Sequence, residues 1–280
     1  MEPTSTAAVT PVLLVRLAVL LVVFTTGARA LVHKTIEVAG AYGRNGPYHG
    51  ARADVPNWKV DVQPREFSMN YIMVGYTLDK DYRPYPSSDP PKTLANQIVV
   101  GLVAWPALYG DSLSRLFIYY TNDSGAQTNC FNLDCDGFHL QNSSFALGSS
   151  WSDSLSQHGG ERYGEIGYYT DDAFDKGFPE GSYVEMGGGG GGGHEGRGEP
   201  HDDARRWAAA LPACGGARFA ATIMKYLGIS AVGQLFQDSV DRTVVTTPGC
   251  YGAQPLGFGA DKPGYNVAYG GPGGLYCDIP

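Results

Sequence analysis

Apolar residues recur at every second position in one segment after another of this chain, and that alternation favours strands over every other regular structure. In EFSMNYIMVGY, Phe67, Met69, Tyr71 and Met73 fall on one face. In SRLFIYYT, Leu116, Ile118 and Tyr120 oppose Phe117 and Tyr119. Turn-rich stretches such as GRNGPYHGARADV and DKDYRPYPSSDPPK separate the strands, and 39 glycines serve such turns. The spacing predicts strands over 96–105 and 114–121. In ADVPNWKVDV it predicts an edge strand carrying Ala53, Val55, Trp58, Val60 and Val62, interrupted by Pro56. ATIMKYLGISAVGQLF reads as strand or helix, and the one convincing helical signal is a short helix capped by Asp202 or Asp203 and running to Ala210. Many short strands with spaced turns predict an all-β fold, an antiparallel β-sandwich with little helix. The glycine run at 187–193 is followed by HEGRGEPHDDARR. With no side chains to pack and a high ordering cost, it predicts a disordered, low-complexity glycine-rich loop over 187–203. No Gly-Lys-Ser/Thr follows the run, so it does not read as a phosphate cradle.

The N-terminus bears on the compartment. The apolar stretch 12–24, VLLVRLAVLLVVF, is short for a membrane span, and Ala28 and Ala30 then form an A-x-A cleavage pattern. We expect a signal peptide over 1–30, with a signal anchor as the alternative, and one domain over 31–280. Later stretches are not apolar enough to span a bilayer, so the processed chain is expected to be secreted and extracellular, with cell wall and vacuole among its destinations. The formal net charge of −8 repels nucleic acid, and no basic run offsets it. Five cysteines in an oxidising compartment leave one over. A zinc half-site at Cys130 and Cys135 is the alternative to a disulfide, but no second C-x-x-C or His-rich half exists and the histidines show no zinc spacing. No metal or other cofactor is therefore expected. Asn122 and Asn142 head sequons and are expected to carry glycans.

The stretch 96–111, NQIVVGLVAWPALYGD, carries a more specific message. It resembles a signature of the plant neprosin family, secreted glutamic peptidases that cut at proline. Members typically read N-x-I-E-x-G-W-x-V-x-P-x-L-Y-G-D, and Ile98, Gly101, Pro106, Leu108, Tyr109, Gly110 and Asp111 match. Further matches are Gly50-Ala51-Arg52-Ala53, Trp58, Val62-Gln63, Glu66-Phe67-Ser68, the C-x-N-L-x-C loop and the terminal YGGPGG. The resemblance implies a β-sandwich and disulfides Cys130–Cys135 and Cys250–Cys277, leaving Cys214 over. It also implies an endopeptidase acting on proline-containing peptides through two glutamates. The second falls on Glu185, in Tyr183-Val184-Glu185-Met186-Gly187-Gly188; the first falls on Val99.

A valine can neither carry a proton nor bind water, and removing one acid/base group costs about 10²–10⁴-fold in rate. The expectation is therefore a catalytically impaired glutamic peptidase, or a non-catalytic secreted relative that keeps a proline-rich peptide groove. Strand parity places Val99, Gly101, Val103 and Trp105 on one face and Ile98, Val100 and Leu102 on the other. Trp105 is then core or groove wall. Glu161, Glu165 and Glu180 are the alternatives for a second acid. The stretch between Trp151 and Glu185 is shorter than in the family by roughly two strands. The domain match begins near residue 31, leaving no space for the propeptide that family precursors carry.

Overall fold

A computed structural model describes residues 35–43, 45–60, 62–78, 96–125, 127–136, 138, 146–150, 152, 155–156, 164, 166–169, 180–192, 221–246, 248, 251–260 and 263–270. The strands are β1 Thr35–Gly43, β2 Gly50–Asp54, β3 Glu66–Tyr76, β4 Asn96–Ala104, β5 Arg115–Thr121, β6 Cys130–Phe131 and β7 Ile166–Tyr169. They continue with β8 Tyr183–Gly192, β9 Ala221–Ile229, β10 Leu235–Phe236, β11 Val240–Val245, β12 Gly252–Phe258 and β13 Tyr265–Gly270. Among the described residues the one α-helix is α1, the single turn Pro106–Tyr109.

The strands form two antiparallel sheets. The larger runs β11-β1-β8-β3-β4-β5-β6, and the smaller runs β12-β13-β9-β2-β7 with β10 paired to β9. Between them lies a core of alternate residues from each strand. Ala41, Ile72, Val74, Ile98, Leu102, Val184 and Met186 come from the larger sheet, and Ala51, Ala53, Ile223, Tyr226, Val267 and Tyr269 from the smaller. The expected all-β sandwich is observed. Polar ties cross the core too: Tyr269 donates to Asn70 Oδ1 at 2.7 Å, and Asn70 Nδ2 donates to the Pro56 carbonyl at 3.1 Å. At one end of the core the buried Asp238 carboxylate accepts from Tyr48 (2.5 Å), Tyr226 (2.6 Å) and Asn45 (2.6 Å). Those bonds fasten the segment before β11 to β9 and to the turn before β2.

Three expectations change. The run Gly187–Gly192 is not a loop: it is the C-terminal part of β8, paired along its length with β1 on one side and β3 on the other. Glycine costs entropy in a strand, roughly 0.5–1 kcal/mol each against alanine. Here both edges are hydrogen-bonded, and the absent side chains make room. An alanine at Gly188 would drive its methyl into the Tyr269 ring that comes across from the smaller sheet. Residues 193–203 of the expected loop, and the helix expected from Asp202 or Asp203, lie outside the described residues. The segment before Pro56 is not an edge strand, since β2 stops at Asp54 and lies between β9 and β7. The third change settles an open choice: ATIMKYLGISAVGQLF is strand β9, a turn and β10, not helix. The strands expected over 96–105 and 114–121 are β4 and β5, to within a residue at each end.

Candidate functional site

The outer face of the larger sheet carries a second apolar cluster that includes Val38, Tyr42, Tyr71, Met73, Val99, Val103, Phe117 and Tyr183. Val99 and Val103 lie here and Ile98 and Leu102 in the inter-sheet core, on opposite faces as strand parity predicts. Antiparallel register then lines up one row of residues from strands far apart in sequence. Tyr119 pairs with Val99, Val99 with Met73, Met73 with Glu185, and Glu185 with Tyr42. Glu185 and Val99 thus lie in the same row with only Met73 of β3 between them, about 10 Å apart at ordinary strand spacing. The two sequence positions singled out for the chemistry are brought together on one face, but only one of them bears a carboxyl.

Glu185 is fully buried, at 0% exposure. Tyr71, two residues along β3 from Met73, donates its hydroxyl to Oε1. Tyr71 reaches across because the residues paired with it on both sides, Gly187 and Gly101, have no side chains. Gly101 is held to that identity by close approach: a methyl there would press into the Asn70 carbonyl oxygen and the Tyr71 backbone. Burial pushes the Glu185 carboxyl up to about 7, against hydrogen bonding from Tyr71 and Tyr42 that favours the anion. Within hydrogen-bonding geometry, Oε2 has no partner among the described residues. The neighbours along the row, Met73 and Val99, are apolar, so desolvation wins. Below neutral pH this site holds a neutral carboxylic acid.

Along the same face, towards the end of β4, an aromatic group is partly exposed. Trp105 packs on Phe67 with ring centroids 5.4 Å apart, and Phe131 meets it edge-on at 5.6 Å. Trp105 is therefore half-buried in a surface cluster at the rim of this face. Pro106 then opens α1, and Gly110, in the left-handed region at φ 79°, closes it by donating to the Pro106 carbonyl at 2.8 Å. Arg115 braces the turn. It pairs with Asp111 at 2.6 Å, donates to the Gly148 carbonyl at 2.7 Å and lies 5.1 Å over the Tyr109 ring. The guanidinium holds the Asp111 carboxyl below the usual range.

The remaining expected site residues are dispersed. Cys130 and Cys135 form a disulfide, which sets aside the zinc half-site. Cys214, Cys250, Cys277 and Asn142 lie outside the described residues, as do Glu161 and Glu165. Asn122 is exposed in the loop after β5, its Oδ1 accepting from the Thr128 hydroxyl at 2.6 Å. Glu180 is exposed on the approach to β8.

Sequence reasoning missed Tyr42, Tyr71 and Met73 as neighbours of Glu185. The alternation in β3 puts Tyr71 and Met73 on one face, but nothing local says that this face meets β8. Among protein families, the model described as Neprosin matches residues 64–173, from the turn before β3 to just beyond β7.

Proposed function

We propose, from the chain's membership of the neprosin family, that this is a secreted protein of the glutamic-endopeptidase type that engages proline-containing peptides and hydrolyses them poorly. The observation that carries this reading is the row Val99–Met73–Glu185, which holds one carboxyl where a dyad needs two. In a dyad, one carboxylate takes a proton from water while its protonated partner polarises the scissile carbonyl. Two such groups at close quarters split their titrations, so a single proton is shared in acid. Glu185 alone, neutral and without a second acid in its row, can polarise a carbonyl but finds no carboxylate in that row to activate water. The partly exposed Trp105, Phe67 and Phe131 offer the flat apolar wall on which proline rings pack well.

Full burial of Glu185 favours a second reading, a non-catalytic relative that retains only peptide binding. Hydrolysis of a proline-containing peptide at about pH 3, where a shared-proton dyad works best, separates the two. Under the first reading the native chain turns over slowly, Glu185→Gln abolishes that turnover, and Val99→Glu recovers part of the roughly 10²–10⁴-fold that one acid/base group supplies. Turnover abolished by Glu185→Gln overturns the binding-only reading. A well-folded Val99→Glu with no gain over an inactive native chain overturns the impaired-peptidase reading. Secretion, and glycans at Asn122 and Asn142, belong to the same proposal. They predict a cleaved N-terminus after about residue 30 and a gel-mobility shift on deglycosylation.

A further inference from the structure

The larger sheet ends in a strand of two residues, β6, and that strand opens the disulfide loop Cys130–Cys135. Its backbone pairs with β5 only at Tyr119 and Tyr120. The loop then turns tightly: Asp134 donates its amide to the Phe131 carbonyl at 3.0 Å, and Asn132 lies in the left-handed region at φ 53°. Asparagine is one of the few residues with a side chain that accept this conformation readily. Seated there, Asn132 joins two parts of the molecule. Its amide donates to the Ile118 carbonyl at 2.8 Å and its Oδ1 accepts from the Ile118 amide at 3.1 Å, which carries the pairing of β5 one residue past β6. Its Nδ2 donates to the Tyr109 hydroxyl oxygen at 2.9 Å, in the turn that follows Trp105. The residue before it, Phe131, stacks on Phe117 and meets Trp105 edge-on, each at 5.6 Å. The loop thus supplies one ring of the Trp105 wall and a tie to the turn that holds Trp105.

What keeps this loop in place is local. It hangs from the edge of the sheet, so it can leave without breaking the core between the sheets. A loop of so few residues gains little from cross-linking in chain-entropy terms, and the bridge adds little to the stability of the whole. It adds much to the geometry of the loop, because an open chain has many alternatives to a left-handed Asn132. Cys130 is 4% exposed and Cys135 is half-buried, so Cys135 is the more accessible of the two. We propose that the Cys130–Cys135 bridge is a redox-sensitive latch on the Trp105 wall. Closed, it seats Phe131 against Trp105 and Asn132 on Tyr109; opened by a dithiol reductant, it releases both while the sandwich stands. A thiolate of the dithiol attacks Cys135 Sγ, the S–S bond breaks, and Cys130 leaves as a thiolate that takes up a proton. The second thiol of the reductant then displaces Cys135 from the mixed disulfide. The protein gains two electrons and two protons, and the dithiol becomes a disulfide. That peptide binding follows the state of the wall rests on the proposed function; the latch itself does not.

The experiment uses the full chain, native and reduced by dithiothreitol near neutral pH, with the opened cysteines identified by alkylation and peptide mass mapping. Acrylamide quenching of the Trp105 emission, isolated by difference from Trp105→Phe, reads the wall, and circular dichroism reads the sandwich. Reduction should raise the quenching of Trp105, shift its emission to the red, leave the strand signal in place, and reverse on reoxidation. Asn132→Gly keeps the left-handed backbone and removes both side-chain bonds, so with its bridge intact it should show part of the same loosening. An unmoved Trp105 in that variant overturns the role of Asn132. A chain with five cysteines offers the reductant other targets, so Cys130→Ser with Cys135→Ser is the control. Its wall should already be open, and dithiothreitol should add nothing; a response that survives there overturns the latch. Should that variant fail to fold, the native chain still decides. Trp105 quenching unchanged in protein alkylated at both Cys130 and Cys135 overturns the proposal. So does loss of the strand signal on reduction, which makes the bridge a staple of the whole fold, and so does a bridge that opens only after urea has unfolded the chain. Calorimetry with a blocked proline-containing peptide then tests the consequence: the reduced form should bind more weakly, and equal affinity overturns the link to binding. If no form binds peptide, the proposed function fails, while the quenching still decides the latch.

Discussion

At the residue scale, a carboxyl raised by burial makes the fold prefer acid. Glu185 titrates near 7 in the folded chain against an ordinary value of 4.5. Below the ordinary value it is neutral folded or unfolded, and its contribution is fully present. Between the two values only the unfolded chain ionises, so stability declines as pH rises, and the loss levels off above about 7 at roughly 3 kcal/mol. Urea unfolding at about pH 4.5 and pH 8 should show that decline in the native chain and its absence in Glu185→Gln; an equal slope in both would assign it to other groups. Asp238 gives a second prediction. Its replacement by Ala strands the Tyr48 and Tyr226 hydroxyls in the core and should cost at least about 3 kcal/mol, read as a lowered denaturation midpoint. Tyr48 itself is held far above the ordinary phenol range, by burial first and then by its hydrogen bond to Asp238. What was legible at this scale was that Val99 and Ile98 face opposite ways; which of them faces the inter-sheet core came from the structure. What was not was the meeting of Tyr71 with Glu185, whose positions are 114 residues apart along the chain.

At the element scale, β8 shows why composition misleads. A glycine run carries no pattern for a strand to be read from, and the sign of its stability depends on what pairs with it. Flanked on both sides, β8 needs its glycines small instead of merely tolerating them. Gly188→Val should disrupt the Tyr269 contact and cost about 1–3 kcal/mol by overpacking, and Gly101→Ala should cost as much by pressing on backbone at Asn70 and Tyr71. Thermal unfolding of both variants checks this; an unchanged midpoint for either would mean that the neighbouring strands yield freely. β3, β4 and β5 were legible because alternation with aromatic and branched residues is the strand signal itself. The small disulfide loop was legible only through the family resemblance; in the structure Cys130 and Cys135 close it with Cα atoms 5.5 Å apart.

For the whole molecule, the recognisable part is not a self-sufficient one. The family match at 64–173 includes β3 to β7, yet β3 takes its second neighbour from β8 and β7 takes its partner from β2, both outside that span. A fragment confined to 64–173 therefore exposes unpaired edges and should aggregate when expressed alone, where the chain from residue 35 onward stays soluble. A soluble, cooperatively unfolding fragment would contradict this. The sandwich architecture was readable from strand count and turns, while sheet order was not, because it depends on pairings that no local pattern encodes. One of those pairings sets the timing of folding. β1 lies between β8 and β11, and the Val38 amide reaches Thr246, 208 positions later. During synthesis that strand must wait, with its edges open, for nearly all of the described chain to emerge. Contacts of such long sequence separation make for slow closure. The larger sheet, and with it the row that carries Glu185, is accordingly a late product of folding, and until it closes the waiting strand is an open edge exposed to aggregation.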